Sequence, residues 1–355
     1  MGLKILHSAD WHLDSPFAGF SEQQRELLKQ EQRKIPGKIA DLCRREHCDL
    51  VLLAGDLFDG QPTRDTVELV KKALEQCAVP VMIAPGNHDF CAPGSPWITE
   101  SWPSNVHIFT GAMDSVALPE LDCRVYGAGF QSMDCSGLLE NFHAEGKERY
   151  LLGVMHGDPT QNTSVYNPIT ASQLKKSGLM YLALGHIHKA GAFRSGNSIC
   201  AWPGCPMGRG WDETGEKGVC IVKLETEPDI QAVSLDTVRF YQLQTDIGAD
   251  ALAALEAVLP GAGSQDFFRI TLTGCGEVDL PKIRQALCAA YPNLELLDQT
   301  EPPLDVWADA GEDTLEGVYF HMLRSAKELN PEHAKEIQLA AEISRKLLNG
   351  REVTL

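Results

Sequence analysis

The chain has 355 residues, 43% of them hydrophobic and 23% charged, with a formal net charge of −18; it is long enough to bury a sizeable core or form two domains, and too apolar to be disordered. No apolar run approaches the ~18–20 residues of a membrane span, and the N-terminus enters a strand pattern at once, without a charged-then-apolar leader, so the expectation is a soluble, cytoplasmic protein with no membrane partner. The acidity excludes a broad basic footprint for nucleic acid, and the eleven cysteines, none in a Cys-x-x-Cys pair, read as small buried hydrophobes, not as disulfides or thiolate metal ligands.

In chain order, Leu3 to Ser8 predicts a first strand, followed by Asp10-Trp11-His12. Ser21-Glu22-Gln23-Gln24 is a capping box opening a helix to about Arg33, before Pro36. A second helix over Ile39 to Glu46 feeds the strand Asp49–Ala54, which stops at Gly55-Asp56-Leu57-Phe58-Asp59. Thr63 to Cys77 reads as a helix with Val67, Val70, Leu74 and Cys77 on one face, and the strand Val79–Ala84 ends in Gly86-Asn87-His88-Asp89. This βαβαβ order implies a parallel sheet with right-handed crossovers. Short strands alternate with turns from Val106 to Gly129, Leu138 to Glu148 reads as partly helical, and the strand Leu151–Met155 meets His156. Ser172–Ser177 and a strand over Met180–Leu184 lead to Gly185-His186-Ile187-His188, after which the pattern turns to β: Ile199–Trp202, Gly218–Leu224 and Ile230–Leu235, with a glycine-rich loop from Pro203 to Gly218.

A smaller α+β unit begins near Arg239, with a strand to Leu243, a helix over Ala249–Val258, a strand over Phe267–Leu272, a helix over Pro281–Ala290 and a strand over Leu294–Leu297. Glu301-Pro302-Pro303 then breaks the chain. Two helices follow, Leu315–Leu329 and Pro331–Leu348, with stripes Leu315, Val318, Tyr319, Met322 and Leu339, Ile343, Leu347 at helical spacing. The expected domains are residues 1–238, 239–300 and a helical segment over 301–355.

Five strand-like runs thus end in residues of metal-ligand type. A single Asp or Asn after a strand is ordinarily a turn former, but five recurrences favour a shared crevice at the carboxyl ends of the strands, where α/β sheets gather their ligand sites. Read as extended chain, Asp10-Trp11-His12 and His186-Ile187-His188 each present two ligands on one face. With Asp56, Asn87 and His156 they make an oxygen and nitrogen set without thiolate, suited to Mn²⁺, Fe²⁺ or Zn²⁺ more than to Ca²⁺ or an iron–sulfur cluster. The set is too large for one catalytic ion and suits two ions sharing a carboxylate. His7, His47, His107, His143, His321 and His333 have no such setting and read as surface or satisfied core residues.

The blocks Asp10/His12, Gly55-Asp56 with Asp59, Gly86-Asn87-His88-Asp89, His156-Gly157 and Gly185-His186-Ile187-His188 resemble, in order and spacing, the calcineurin-like metallophosphoesterase superfamily. Within it, Ser8 to Leu13, Ala54 to Asp59 and the loop Trp202 to Gly218 resemble SbcD-type DNA-repair exonucleases of the YhaO-like branch. The resemblance implies an α/β fold: a two-sheet αββα sandwich metallophosphoesterase core with a small α+β capping domain and C-terminal helices. It implies one ion held by Asp10, His12, Asp56 and His188 and another by Asp56, Asn87, His156 and His186, with Asp56 as the bridge, His88 as general acid or leaving-group stabiliser, and Asp89 orienting His88. The ions are expected to be Mn²⁺, with Fe²⁺, Zn²⁺ or Mg²⁺ as alternatives. The implied function is a metal-dependent DNA exonuclease or endonuclease subunit in repair or recombination, with DNA and an SbcC-like coiled-coil ATPase subunit as partners and a homodimer left open. The alternatives are a phosphatase or cyclic phosphodiesterase on a small phospho-substrate, using the same ions, and a scaffold with a vestigial site. Arg209 reads equally as a phosphate contact or a surface arginine, and Trp11, Phe17 and Phe58 as packing beside the ligands more than as base-stacking platforms.

Overall fold

The computed structural model describes residues 2–261, 263–302 and 305–350; Pro303 of the expected proline break lies outside the described residues. The chain divides into two compact units, Met1–Tyr241 with Gln265–Phe267, and Gln242–Ser264 with Phe268–Leu355.

The first unit runs β1 (Leu3–Ser8), α1 (Glu22–Gln32), α2 (Ile35–Arg45), β2 (Leu50–Leu53), α3 (Arg64–Cys77), β3 (Val81–Ile83), α4 (Pro96–Thr99) and β4 (Val106–Ile108). It continues with β5 (Asp114–Leu118), β6 (Cys123–Ala128), β7 (Tyr150–His156), α5 (Ala171–Ser177), β8 (Tyr181–Gly185), β9 (Gly191–Ser195), β10 (Ser198–Trp202), β11 (Gly218–Leu224) and β12 (Pro228–Ser234). These strands form two six-stranded sheets, ordered β12-β11-β1-β2-β3-β4 and β5-β6-β7-β8-β10-β9. β1 through β4 are parallel, as the βαβαβ pattern requires, and β11 closes on β1 antiparallel.

Period-two alternation along the strands builds the layers. Leu3 and Ile5 of β1 and Leu50 and Leu52 of β2 join Val125, Leu152, Val154 and Tyr181 of the second sheet in one buried cluster. The alternate residues Leu6, Val51 and Leu53 face the other way, onto Leu28, Ile39, Val67 and Val70 of α1 to α3. The outer side of the second sheet is covered by α5 and irregular chain, through Leu139, Ile169 and Leu174. The expected two-sheet sandwich with flanking helices is therefore present. His7 lies between the sheets, its Nδ1 2.8 Å from the Tyr181 hydroxyl and its Nε2 3.0 Å from the Leu184 carbonyl. Burial pushes its pKa down to about 3, so it is a neutral, satisfied core residue.

Three local expectations are corrected. The second helix starts at Ile35, not Ile39, because Pro36 falls in the first turn, where a missing N–H removes no intrahelical bond. Leu138 to Glu148 forms turns and irregular chain instead of helix: the Ala144 N–H donates to Ser177 O at 2.7 Å, and His143 Nδ1 donates to Lys176 O at 2.8 Å. Those bonds to the end of α5 replace the intrahelical ones. β9, which the sequence pattern did not predict, is an alternately exposed edge strand joined to β10 by the two-residue turn Gly196-Asn197, with Gly196 at φ 63°.

The second unit holds most of β13 (Phe240–Asp246), then α6 (Ala251–Val258), β14 (Phe267–Thr273), α7 (Leu280–Leu287) and β15 (Leu294–Asp298), with the three strands in sequence order and β14 parallel to β15. α8 (Leu315–Leu329) and α9 (Ala334–Leu348) follow and pack through Val306, Phe320 and Ala341. The expected helix over Pro331–Leu348 starts later: Pro331–His333 forms a 3₁₀ turn outside α9, and the Asn330 side chain donates back to Ala326 O at 2.8 Å, closing α8. Among the described residues no helix is long and apolar enough to cross a membrane.

Candidate metal centre

The chain segments after β1 and β2 run side by side, with the Asp10 N–H donating to Gly55 O (3.0 Å), His12 N–H to Asp56 O (2.9 Å) and Leu13 N–H to Leu57 O (2.9 Å). Asp10, His12, Asp56 and His186 have φ of 55°, 46°, 53° and 97°. The reading of Asp10-Trp11-His12 and His186-Ile187-His188 as extended clamps is thus wrong in mechanism: the side chains converge because the backbone turns left-handed beneath them. Each such residue costs about 1–3 kcal/mol, and this kind of strain persists where surrounding structure holds it and function uses it. Gly86 leaves the space the cluster needs, since a Cβ there would lie 2.2 Å from Asp56 Oδ1.

All seven sequence-predicted donors come together, in two groups meeting at Asp56. His12 Nε2 lies 3.1 Å from His188 Nε2 and 3.7 Å from Asp56 Oδ2, and Asp10, His12 and His188 offer donor atoms within 4.8 Å of one another. On the other side, Asn87 Oδ1 is 2.9 Å from His156 Nε2 and 3.2 Å from His186 Nδ1, while His156 Nε2 is 3.4 Å from Asp56 Oδ2. The Asp10 carboxylate accepts the His186 N–H at 2.9 and 3.1 Å. Asp10, His12, Asp56 and His156 are essentially buried.

These contacts call for positive charge between the donors. His156 Nδ1 faces Ala54 O at 2.8 Å, so a neutral ring would spend its one proton there and turn a lone pair toward Asn87 Oδ1, acceptor against acceptor, unless a second ring proton or a bound cation sits on that side. Metal bonds of about 2.0–2.2 Å place donors that share an ion roughly 3.0–3.5 Å apart, which covers the His12–His188, Asn87–His156, Asn87–His186 and His156–Asp56 separations. The local field also calls for positive charge: burial works against charging His156, yet Asp56 and then Asp10 raise its pKa to about 9. Asp56 is likewise opposed by burial but held well below the usual carboxylate range by His156 and His12. Burial alone dominates at Asp10, whose pKa goes up, and at His12, whose pKa goes down.

His88 sits beside the donors, its backbone N–H on Asp56 Oδ1 at 2.9 Å and its side chain 42% exposed. Its Nδ1 pairs with Asp59 Oδ1 at 2.9 Å, and that hydrogen bond raises its pKa. Asp89, expected to orient His88, does something else. Its carboxylate is buried and accepts the N–H groups of Gly86 (2.7 Å), Leu57 (2.8 Å), Asp56 (3.2 Å) and Phe58 (3.3 Å), lacing the two ligand loops together. Burial and Asp56 push its pKa up to about 7 against these amides. Asp89→Ala is therefore expected to act on folding: orphaning buried N–H groups costs about 1–3 kcal/mol each, read as a lower denaturation midpoint, and an unchanged midpoint would return Asp89 to a role at His88.

Near the donors, Glu213 carries weight that sequence reading did not assign, and Arg209 meets partners that it did not foresee. Glu213 is buried in the glycine-rich loop, its Oε1 2.5 Å from His188 Nδ1. Although burial pushes it up, the His188 hydrogen bond and Arg209 hold its pKa at about 2. Arg209 is not a free surface arginine: Nη2 reaches Glu213 Oε1 at 3.3 Å, and Nη1 lies 4.0 Å from Asp59 Oδ2. Nothing in the run Trp211-Asp212-Glu213-Thr214-Gly215-Glu216 singles out its second acid. Trp11 and Phe58 are buried, with Trp11 Nε1 donating to Ser8 Oγ at 2.8 Å and Phe58 packed on Trp97, so they are packing and not stacking platforms.

Two facing sheets that converge buried carboxylate, amide and imidazole donors at their strand ends define an α/β-sandwich phosphoesterase of the kind that binds pairs of divalent ions. Residues 3–190, more than half of the chain, match the calcineurin-like phosphoesterase family, and the chain belongs to it. It is 34% identical over 245 residues to the metallophosphoesterase YhaO of Bacillus subtilis, covering 64% of this chain and 59% of that protein, so less than two thirds of that relative is spanned. It is 21% identical over 327 residues to the SbcD component of the SbcCD nuclease of Staphylococcus epidermidis, covering 82% of this chain and 84% of that one. A solved dimetal phosphatase from Danio rerio is 15% identical, with a TM-score of 0.43 over 66% of this chain and 96% of that one.

Proposed function

We propose that the chain is a two-metal phosphodiesterase that cleaves DNA, with Asp10, His12, Asp56 and His188 holding one ion and Asp56, Asn87, His156 and His186 the other. The observation that carries the metal reading is Asp56 Oδ2, which lies 3.7 Å from one donor group at His12 Nε2 and 3.4 Å from the other at His156 Nε2. Mn²⁺ is the favoured metal, from an oxygen and nitrogen donor set without thiolate. Two divalent ions would polarise a phosphoryl oxygen and lower the pKa of water. Among the protein's own groups, His88 supplies the proton to the departing oxygen. Asp59 turns the His88 ring through Nδ1 and favours its charged form, while Asp89 keeps the loops bearing Asp56 and Asn87 in register.

DNA as substrate is supported by the similarity to the SbcD component of SbcCD along most of both chains and by the second unit, which a minimal small-molecule phosphodiesterase would not need. With a net charge of −18, DNA binding has to rely on the ions, a local patch or a partner. An SbcC-like ATPase is the proposed partner, docked on α8 and α9, where Leu315 is 89% and Met322 65% exposed. Leu315, Tyr319, Leu347 and Leu348, with Glu316 and Ser344, line a shallow, mainly apolar groove there. Labelled DNA and a chromogenic phosphodiester, each assayed with Mn²⁺ and with EDTA, test the reading. Mn²⁺-dependent DNA cleavage is expected; hydrolysis of the small ester alone would replace the nuclease with a small-molecule phosphodiesterase.

The Asp59–His88 pair adds a pH signature. Because the pair raises the His88 pKa, the acid form survives to higher pH than a free imidazolium and is lost as pH rises through the raised value. Asp59→Asn should move the descending limb of the pH–rate profile to lower pH. A limb that stays in place would remove His88 as its origin.

A further inference from the structure

We propose that Glu213 is the positioning residue for His188: from the glycine-rich loop it accepts the hydrogen bond of the Nδ1–H and so turns the Nε2 lone pair toward the ion that Asp10, His12, Asp56 and His188 would hold. The inference rests on the two-ion reading above. A carboxylate has no proton to give, so the 2.5 Å contact between Glu213 Oε1 and His188 Nδ1 makes Nδ1 the protonated nitrogen; Arg209 Nη2, 3.3 Å from the same nitrogen, finds its acceptor in Glu213 Oε1 at 3.3 Å. Nε2 is then the free acceptor, and it is the atom facing His12 Nε2 at 3.1 Å.

The other imidazoles of the cluster differ. His156 Nδ1–H donates to the Ala54 carbonyl at 2.8 Å, and His12 Nδ1, buried without a hydrogen-bond partner, lies 3.6 Å from Asp59 Oδ1, beyond hydrogen-bond distance. His188 thus differs from His12 and His156 in that its outward nitrogen is hydrogen-bonded to a carboxylate. Such a partner fixes ring rotation and tautomer and makes the opposite nitrogen a stronger donor.

Glu213 is itself held to the task. It is 7% exposed, and its Oε2 accepts the Arg209 N–H at 2.8 Å and faces Cys205 Sγ at 3.7 Å. The loop closes tightly around it, since a Cβ at Gly208 would fall 2.5 Å from Glu213 O and one at Gly204 2.6 Å from His188 O. Trp211, two residues before Glu213, packs edge-on against Phe240 at 5.3 Å within the same unit. The loop is therefore packed both at Glu213 and at Trp211.

The full-length protein and its Glu213→Gln, Glu213→Ala and His188→Ala variants test this by titration with Mn²⁺, free Mn²⁺ being read by electron paramagnetic resonance. Melting temperatures are taken without added metal. Losing an outer partner of this kind typically lowers metal affinity roughly 10–100-fold. Both Glu213 variants should weaken one of two Mn²⁺ sites by that factor and leave the other as it was. Glutamine can still accept the Arg209 N–H, so Glu213→Gln should melt near the unmodified protein and separates loss of charge from loss of the loop. Wild-type affinity at both sites in Glu213→Gln would overturn the proposal, as would equal weakening of both sites together with a lower melting temperature. If His188→Ala itself leaves both sites intact, the ligand assignment falls and the role of Glu213 falls with it.

Discussion

Asp56→Asn should lose bound metal and phosphodiester hydrolysis together. One oxygen of Asp56 serves both donor groups, 3.7 Å from His12 Nε2 and 3.4 Å from His156 Nε2, so an amide there removes a charge that both ions would use. Each 1.36 kcal/mol lost from the transition state is about tenfold in rate, and the electrostatic contribution of a metal pair is several kcal/mol, so a fall of roughly 10³-fold or more is expected. The fold should survive, because an Asn Oδ1 can still accept the His88 N–H now held by Asp56 Oδ1 at 2.9 Å. Elemental analysis, steady-state rates and a melting curve on the same preparation read all three effects. Two bound ions with near-normal turnover in Asp56→Asn would end the bridging assignment.

His88→Ala should part chemistry from metal binding. The ring lies beside the donor cluster but is paired outward to Asp59, and its truncation leaves the backbone N–H on Asp56 in place. Metal stoichiometry is therefore expected to hold while the rate falls roughly 10²–10⁴-fold, the usual span for a general acid. The loss should shrink for esters with an activated leaving group, which departs without a proton. Equal losses for good and poor leaving groups would exclude proton donation, and a lost ion would make His88 a ligand.

The layers were legible because they follow from local pattern. Alternation at Leu3, Ile5, Leu50 and Leu52 against Leu6, Val51 and Leu53 requires two buried faces, and the capping box at Ser21 marks a helix start that the structure keeps. Where expectations failed, a distant partner overrode a local tendency. Leu138 to Glu148 has helix-forming composition, but its Ala144 N–H is taken by Ser177 O on another element, an interaction between residues 33 apart that no short window contains.

The candidate site divides the same way. Residue type and order by themselves determined which donors could meet: oxygen and imidazole ligands stand at the ends of buried strands, and strands in parallel order bring their carboxyl ends to one edge. Tertiary structure alone decided what those donors do to one another. Asp89 is the neighbour of His88 in sequence, yet it accepts backbone N–H groups from Asp56, Leu57 and Phe58, while Asp59, in a different loop, takes the imidazole. Glu213 reaches His188 across a loop whose path depends on glycine contacts and an aromatic anchor. The left-handed turns at Asp10, His12, Asp56 and His186 explain why chain adjacency misleads here. Each rotates a side chain away from the direction an extended strand would give it, so which acid meets which imidazole depends on backbone angles that only the packed loops impose.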